Sequence, residues 1–130
     1  MLTKELEKIL INKALEARDN SYSPYSKFPV GAALLTKNDE IFIGTNVENS
    51  SIGLTICAER SAICAAVSNG DREFRTLVVA GPLDEPVSPC GACRQFMCEF
   101  GDFEVIIYSE NEIIRTTTKK LLPLDFKLEL

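Results

Sequence analysis

The residues whose types and spacing suggest chemistry are cysteines. There are five, at positions 57, 64, 90, 93 and 98. Cys90 and Cys93 form a Cys-x-x-Cys within Ser88-Pro89-Cys90-Gly91-Ala92-Cys93-Arg94-Gln95. At a turn, that spacing lets two thiolates grip one tetrahedral ion. Cys57 opens Cys57-Ala58-Glu59-Arg60, which reads as a helix start. A helix N-terminus carries unpaired N–H groups and the positive end of the dipole, so it favours thiolate over thiol. Two such starts, brought together, would offer three thiolates and leave the fourth position of a zinc ion open. An open position marks a catalytic site rather than a structural one. Two other readings stand beside this one. A redox pair would explain Cys90 and Cys93 but leave Cys57-x-Glu59 without a role. Unrelated core thiols would explain none of the spacing.

Cys64 lies seven residues after Cys57, on the same helix face but about 10.5 Å along the axis, too far to share an ion. Cys98 lies five residues after Cys93 and is turned about 140° from it. Both read as small buried hydrophobes. Glu59 completes the pattern. In an ideal helix, residues 57 and 59 face different ways. Only a splayed first turn, with the length of a glutamate, lets both reach one ion. A first-turn Glu alone would merely complement the dipole; with Pro-Cys-x-x-Cys about thirty residues later it becomes a strong signal of one shared site.

Composition narrows the chemistry further. The chain has no histidine, which excludes Ser-His-Asp and Cys-His catalysis and any His-ligated metal. The odd cysteine number excludes a complete intrachain disulfide set. With 14 Lys+Arg against 19 Asp+Glu the net charge is −5, the wrong sign for tracking a polynucleotide. The opening MLTKELEKIL does not read as a signal peptide, and no apolar run approaches the ~18 residues of a membrane span. The expectation is a cytoplasmic protein in a reducing compartment, with no membrane or nucleic-acid partner.

The elements that must position these residues follow from periodicity. Residues 3–18 read as an amphipathic helix with Leu6, Ile9, Leu10, Ala14 and Ala17 as its apolar stripe and Thr3 as its N-cap. Residues 21–28 read as a loop. Val30–Thr36 and Glu40–Thr45 read as a hairpin, and 46–55 as a second loop. A helix is predicted from Ala58 to Ser68, a strand over Thr76–Ala80 and a Pro-rich loop over 82–89. A short helix over Gly91–Phe100, strands over Val105–Tyr108 and Ile113–Thr117, and a last turn at Lys119–Leu122 complete the chain. The order α-β-β-α-β-α-β-β predicts one domain over 1–130, an α/β fold of three layers (α/β/α) with a mixed five-stranded sheet. Function then belongs to loops and helix starts at one sheet edge.

Several motifs together resemble the small homotetrameric cytidine deaminases in their three-cysteine, zinc-dependent form. They are Phe28-Pro29-Val30-Gly31-Ala32-Ala33, Gly44-x-Asn46-x-Glu48-Asn49, Thr55-x-Cys57-Ala58-Glu59-Arg60, Val87 through Gln95, and Leu121-Leu122-Pro123-x-x-Phe126. The resemblance spans residues ~5–126 in order. It implies one Zn²⁺ per subunit on Cys57, Cys90 and Cys93, with Glu59 moving protons while cytidine or 2′-deoxycytidine loses its amino group as ammonia. It implies that Arg60 offsets the negative charge of three thiolates. It implies that Asn46 and Glu48 hold the ribose 3′-hydroxyl, that Phe28 stacks on the base, that the Ala58 N–H meets the pyrimidine O2, and that Phe126 enters a neighbouring subunit's site. Ile52 and Leu124-Asp125 depart from the family pattern at expected subunit contacts. Two readings compete: a related deaminase acting on a nucleotide, a nucleoside antibiotic or a polynucleotide, and a non-enzymatic zinc module with a fourth protein ligand.

Overall fold

The computed structural model describes residues 2–129. The elements are α1 (Lys4–Asp19), β1 (Gly31–Thr36), β2 (Ile41–Thr45), a 3-10 turn (Ile52–Leu54), α2 (Ala58–Ser68), β3 (Phe74–Ala80), α3 (Gly91–Cys98), β4 (Glu104–Tyr108), β5 (Ile113–Thr117) and α4 (Thr118–Leu121). Helix α1 starts where Thr3 Oγ1 accepts the Leu6 N–H at 3.1 Å. Its inner face is Leu10, Ala14 and Ala17. Ile9, expected on that stripe, is 47% exposed.

The strands form one sheet in the order β2-β1-β3-β4-β5. β1 runs antiparallel to both its neighbours, β2 and β3, so those two point the same way. β4 is parallel to β3, and β5 antiparallel to β4. The mixed five-stranded sheet is therefore as expected. Because β2, β3 and β4 run in one direction, β2-α2-β3 and β3-α3-β4 are crossover connections, and a shared hand puts both helices on one face. That face holds Ala58, Ala62 and Ile63 of α2 with Cys93 and Met97 of α3, packed on Leu34, Leu77 and Val105. α1 covers the other face, where Leu10 and Ala14 pack on Ala33, Leu35, Val78 and Ile106. Burying each large side chain of this kind contributes about 1.5–3 kcal/mol.

Two glycines let the layers approach. A Cβ on Gly31 would lie 2.0 Å from the Ala14 carbonyl oxygen of α1, and one on Gly44 2.3 Å from the Ala62 nitrogen of α2. Strand β3 begins at Phe74, earlier than Thr76, because Phe74 is core and pairs with Thr36 beyond a register shift in β1. α3 stops at Cys98 and not Phe100, ahead of Gly101 in the left-handed region at φ 94°. The last turn occupies 118–121 because Thr117 caps it, accepting from Lys120 N–H. The 3-10 turn falls in a stretch expected to be irregular. Among the described residues, no helix is long and apolar enough to cross a membrane.

Candidate active site

The topology explains why distant cysteines meet. α2 begins beyond the end of β2 and α3 beyond the end of the parallel strand β3, so both helix starts stand at one sheet edge. Cys57 is the N-cap of α2 and Cys90 the N-cap of α3, each with extended backbone (φ −75°, ψ 155° and φ −68°, ψ 168°). Neither helix start has a side-chain capping hydrogen bond. An N-cap residue stands outside the helical spiral, and this resolves the spacing problem: Cys57 is not bound to the face that helix geometry would give it. Its side chain and that of Glu59 can turn to one side.

The sulfurs of Cys57, Cys90 and Cys93 lie within 4.8 Å of one another. Cys57 and Cys90 sulfurs are 3.8 Å apart. Zinc–thiolate bonds of about 2.3 Å in a tetrahedron put sulfurs about 3.8 Å apart, so the donor set fits zinc in kind and in spacing. No other group of three or more potential ligands occurs among the described residues. Cys98 is buried, as expected, with its thiol 3.6 Å from the Thr118 carbonyl. Cys64 is not: it is exposed, since its side of α2 turns away from the sheet.

The electrostatics concentrate on the same atoms. Cys57 is held down to about 5, first by a hydrogen bond from Cys93 and then by Arg60 and Cys90. Cys93 is pushed up, because it keeps the proton that it shares with Cys57. Between these two sulfurs, Cys57 is thus the first to ionise; a bound divalent cation would draw the proton from Cys93 as well. Arg60 Nη2 donates to the Cys57 sulfur and to the Thr55 carbonyl, both at 3.4 Å. Its Nε is buried and has no partner. Glu59 is 4% exposed, and burial pushes its carboxyl up to about 7, with the nearby Cys57 charge adding to the shift. Such a group can accept and return a proton near neutral pH.

Cys57, Glu59 and Cys90 line a pocket of about 460 Å³ whose walls also include Phe28, Asn46, Glu48, Ala58 and Val87. Ala58 lies at the first position of α2, where N–H groups lack helical partners. Glu48 accepts from the backbone N–H groups of Tyr25 and Ser26 at 3.0 and 3.1 Å, and from the Ser26 hydroxyl. These bonds, the Ser26 hydroxyl first, hold its carboxyl below the usual range. Phe126 is not among the residues lining this pocket; it stands 69% exposed, its backbone tied to the Gln95 side chain by two hydrogen bonds of 3.0 Å. Ile52 and Leu124 are also exposed, at 68% and 93%.

Sequence reasoning missed Ser26, Gly81 and the tying role of Arg94. Arg94 donates to the Pro89 and Leu121 carbonyls at 2.9 and 2.8 Å and to the Ser88 hydroxyl, fastening the segment that leads into Cys90 to the last helical turn. Its place directly after Cys93 was the available signal.

A pocket at the carboxyl edge of a mixed sheet, with three sulfurs on two helix starts and a buried carboxyl beside them, defines a zinc-binding α/β class. Comparison narrows it. The family described as "Cytidine and deoxycytidylate deaminase zinc-binding region" matches residues 4–109. A Dictyostelium discoideum protein named "Probable cytidine deaminase" is 52% identical over 95% of this chain and 84% of its own length. A cytidine deaminase of Sporosarcina psychrophila is 49% identical over 92% of this chain and 90% of its own. The crystal structure of a cytidine deaminase from Burkholderia pseudomallei superposes with TM-score 0.89 at 43% identity, over 96% of this chain and all of that one. The chain belongs to the cytidine and deoxycytidylate deaminase family.

Proposed function

We propose that this protein hydrolyses the exocyclic amino group of cytidine and 2′-deoxycytidine, giving uridine or 2′-deoxyuridine and ammonia, as a pyrimidine salvage enzyme. The observation that carries the proposal is the convergence of three sulfurs and one buried carboxyl in a nucleoside-sized pocket, in a chain of this family. Cys57, Cys90 and Cys93 hold one zinc ion per subunit. When bound, zinc supplies the Lewis acidity that makes water a nucleophile near neutral pH. Glu59 is the catalytic residue. Its carboxylate takes a proton from the attacking water and delivers it to the pyrimidine N3 as oxygen bonds to C4. Glu59 then carries the second proton to the amino group, the C4–N bond breaks, and ammonia leaves. Arg60 offsets the charge of three thiolates through its hydrogen bond to Cys57.

Phe28 gives the base an aromatic face, and the Ala58 N–H at the start of α2 meets the base oxygen. Glu48, with Asn46 beside it, accepts from the ribose 3′-hydroxyl; a nucleoside without that hydroxyl forfeits one charge-assisted hydrogen bond. None of the proposed contacts reads the 2′ position, so both nucleosides are expected to be substrates. The acidic chain disfavours a polynucleotide, and Glu48 disfavours a phosphate beside the ribose. The chain is one domain, works in the cytoplasm and assembles as a homotetramer in which Phe126 reaches a neighbouring pocket.

The test is a spectrophotometric assay on cytidine and 2′-deoxycytidine with and without a zinc chelator. Both nucleosides should be converted, activity should vanish with the chelator, and added zinc should restore it. A zinc-loaded protein inert on both would overturn the proposal.

A further inference from the structure

We infer that Asn46 acts chiefly as a positioning residue for Phe28, beyond any contact with the sugar; the inference rests on the deaminase reading given above. Asn46 is 8% exposed and sits one residue past the end of β2. Its side-chain oxygen accepts the Val30 N–H at 3.0 Å and the Ser21 hydroxyl. Its side-chain nitrogen donates to the Phe28 carbonyl at 2.9 Å. A backbone N–H can only donate and a carbonyl can only accept, so these two partners fix which way the amide points. The backbone of Asn46 joins the same loop. Its N–H donates to the Val30 carbonyl at 3.3 Å, and its carbonyl accepts the Tyr22 N–H at 3.1 Å.

A primary amide has two acceptor lone pairs and two N–H groups. Three of these four sites go to the 21–30 loop, and one N–H remains for a ligand. The loop needs this support. β1 begins only at Gly31, so no strand ladder holds Phe28, and the preceding Lys27 is in the left-handed region at φ 59°. The Phe28 ring forms a pocket wall while 39% exposed, so packing on the core does not fix it either. The Asn46 amide replaces the missing ladder and sets where the ring stands.

The test is a mutant cycle read with two substrates. KM and kcat of Asn46→Ala are measured on cytidine and 3′-deoxycytidine, in the Phe28 and the Phe28→Ala backgrounds. Ser21→Ala is run alongside, because Ser21 does not line the pocket and acts only through Asn46 and its loop. Removing one or two net hydrogen bonds from the loop should raise KM about tenfold for Asn46→Ala and about threefold for Ser21→Ala, on both substrates, with kcat within about twofold. In the Phe28→Ala background the added penalty should fall below about twofold. A penalty seen with cytidine and absent with 3′-deoxycytidine would assign Asn46 to the sugar alone and overturn the inference. So would a penalty that persists without Phe28. If Asn46→Ala does not fold, Ser21→Ala decides by the same cycle. Exchange at the Val30 amide gives a reading independent of turnover. It should quicken in either variant, and unchanged exchange overturns the inference even if the protein proves inert on cytidine, which would separately end the deaminase reading.

Discussion

Glu59 and Glu48 stand in one pocket, and their surroundings push them in opposite directions. Burial raises Glu59 to about 7, while hydrogen bonds led by the Ser26 hydroxyl lower Glu48. Environments that separate two carboxyls suit them to different tasks, and the proposed mechanism uses one to trade protons and the other as an anion. Glu59→Gln should lower kcat on cytidine by about 10²–10⁴-fold with zinc content unchanged, since the variant keeps shape and loses only the proton carrier. Parallel metal analysis and steady-state kinetics check this; full kcat in the variant would remove Glu59 from the chemistry. For Glu48 the sign runs the other way. Its folded value is depressed, so its stabilising contribution is present above the ordinary 4.5 and is lost as pH falls through the lower, folded value. Carbon-13 NMR of Glu48 should therefore show a midpoint below 4.5, and Ser26→Ala should move it upward. A midpoint that ignores Ser26→Ala would mean that the hydroxyl does not hold this carboxylate.

Helices α2 and α3 are pinned by their starts and by how closely they sit on the sheet. At Gly44 a Cβ would fall 2.3 Å from Ala62 N and 2.5 Å from Ala58 O, atoms of a backbone that also carries Cys57. Gly44→Ala should cost about 3 kcal/mol or more, because helix backbone cannot yield as a side chain can. Gly81 is the contrast. A Cβ there meets only the side chains of Phe28, Val30 and Val87, at 3.8, 3.9 and 4.0 Å. Gly81→Ala should keep the melting temperature within a few degrees while raising KM, because the new methyl takes pocket volume and no packing space. Denaturant titration and kinetics on both variants separate the two outcomes; equal destabilisation would refute the distinction. Element positions were largely readable from the chain. α2 announced itself through its period and through Asn69-Gly70, and matches over its full length. The ends of β3 and α3 were not readable, since they depend on Phe74 pairing across the sheet and on the Gly101 turn. The outward side of Cys64 was unreadable for a related reason: it depends on which part of α2 the sheet covers, which no local spacing states.

Across the whole molecule, large apolar side chains remain uncovered in the single chain. Leu124, Phe126 and Leu128 are 93%, 69% and 74% exposed, and Ile52 and Leu54 are 68% and 63% exposed. Contiguous exposed apolar surface marks protein contacts, and the proposed tetramer would cover these side chains. Sedimentation should give a particle about four times the 14.4 kDa chain mass, and Phe126→Ala should weaken that assembly or its substrate affinity. A monomer with full activity would refute the assembly. The three clustered cysteines, Glu59 and Glu48 were legible as motifs because each sits at a helix start or beside a strand end. The supporting bonds of Asn46, Arg94 and Gln95 were not, because they join segments far apart in the chain. Strand order adds a consequence in time. β1 lies between β2 and β3, yet β3 leaves the ribosome only after α2. Cys57 and Cys90, 33 residues apart, meet only once β3 has docked against β1 and α3 has folded back over the sheet. Such long-range pairings form slowly. On this topology zinc is expected to meet a site that the sheet has already assembled, so the chain refolded with a chelator should still build its sheet and bind zinc when the metal is added afterwards.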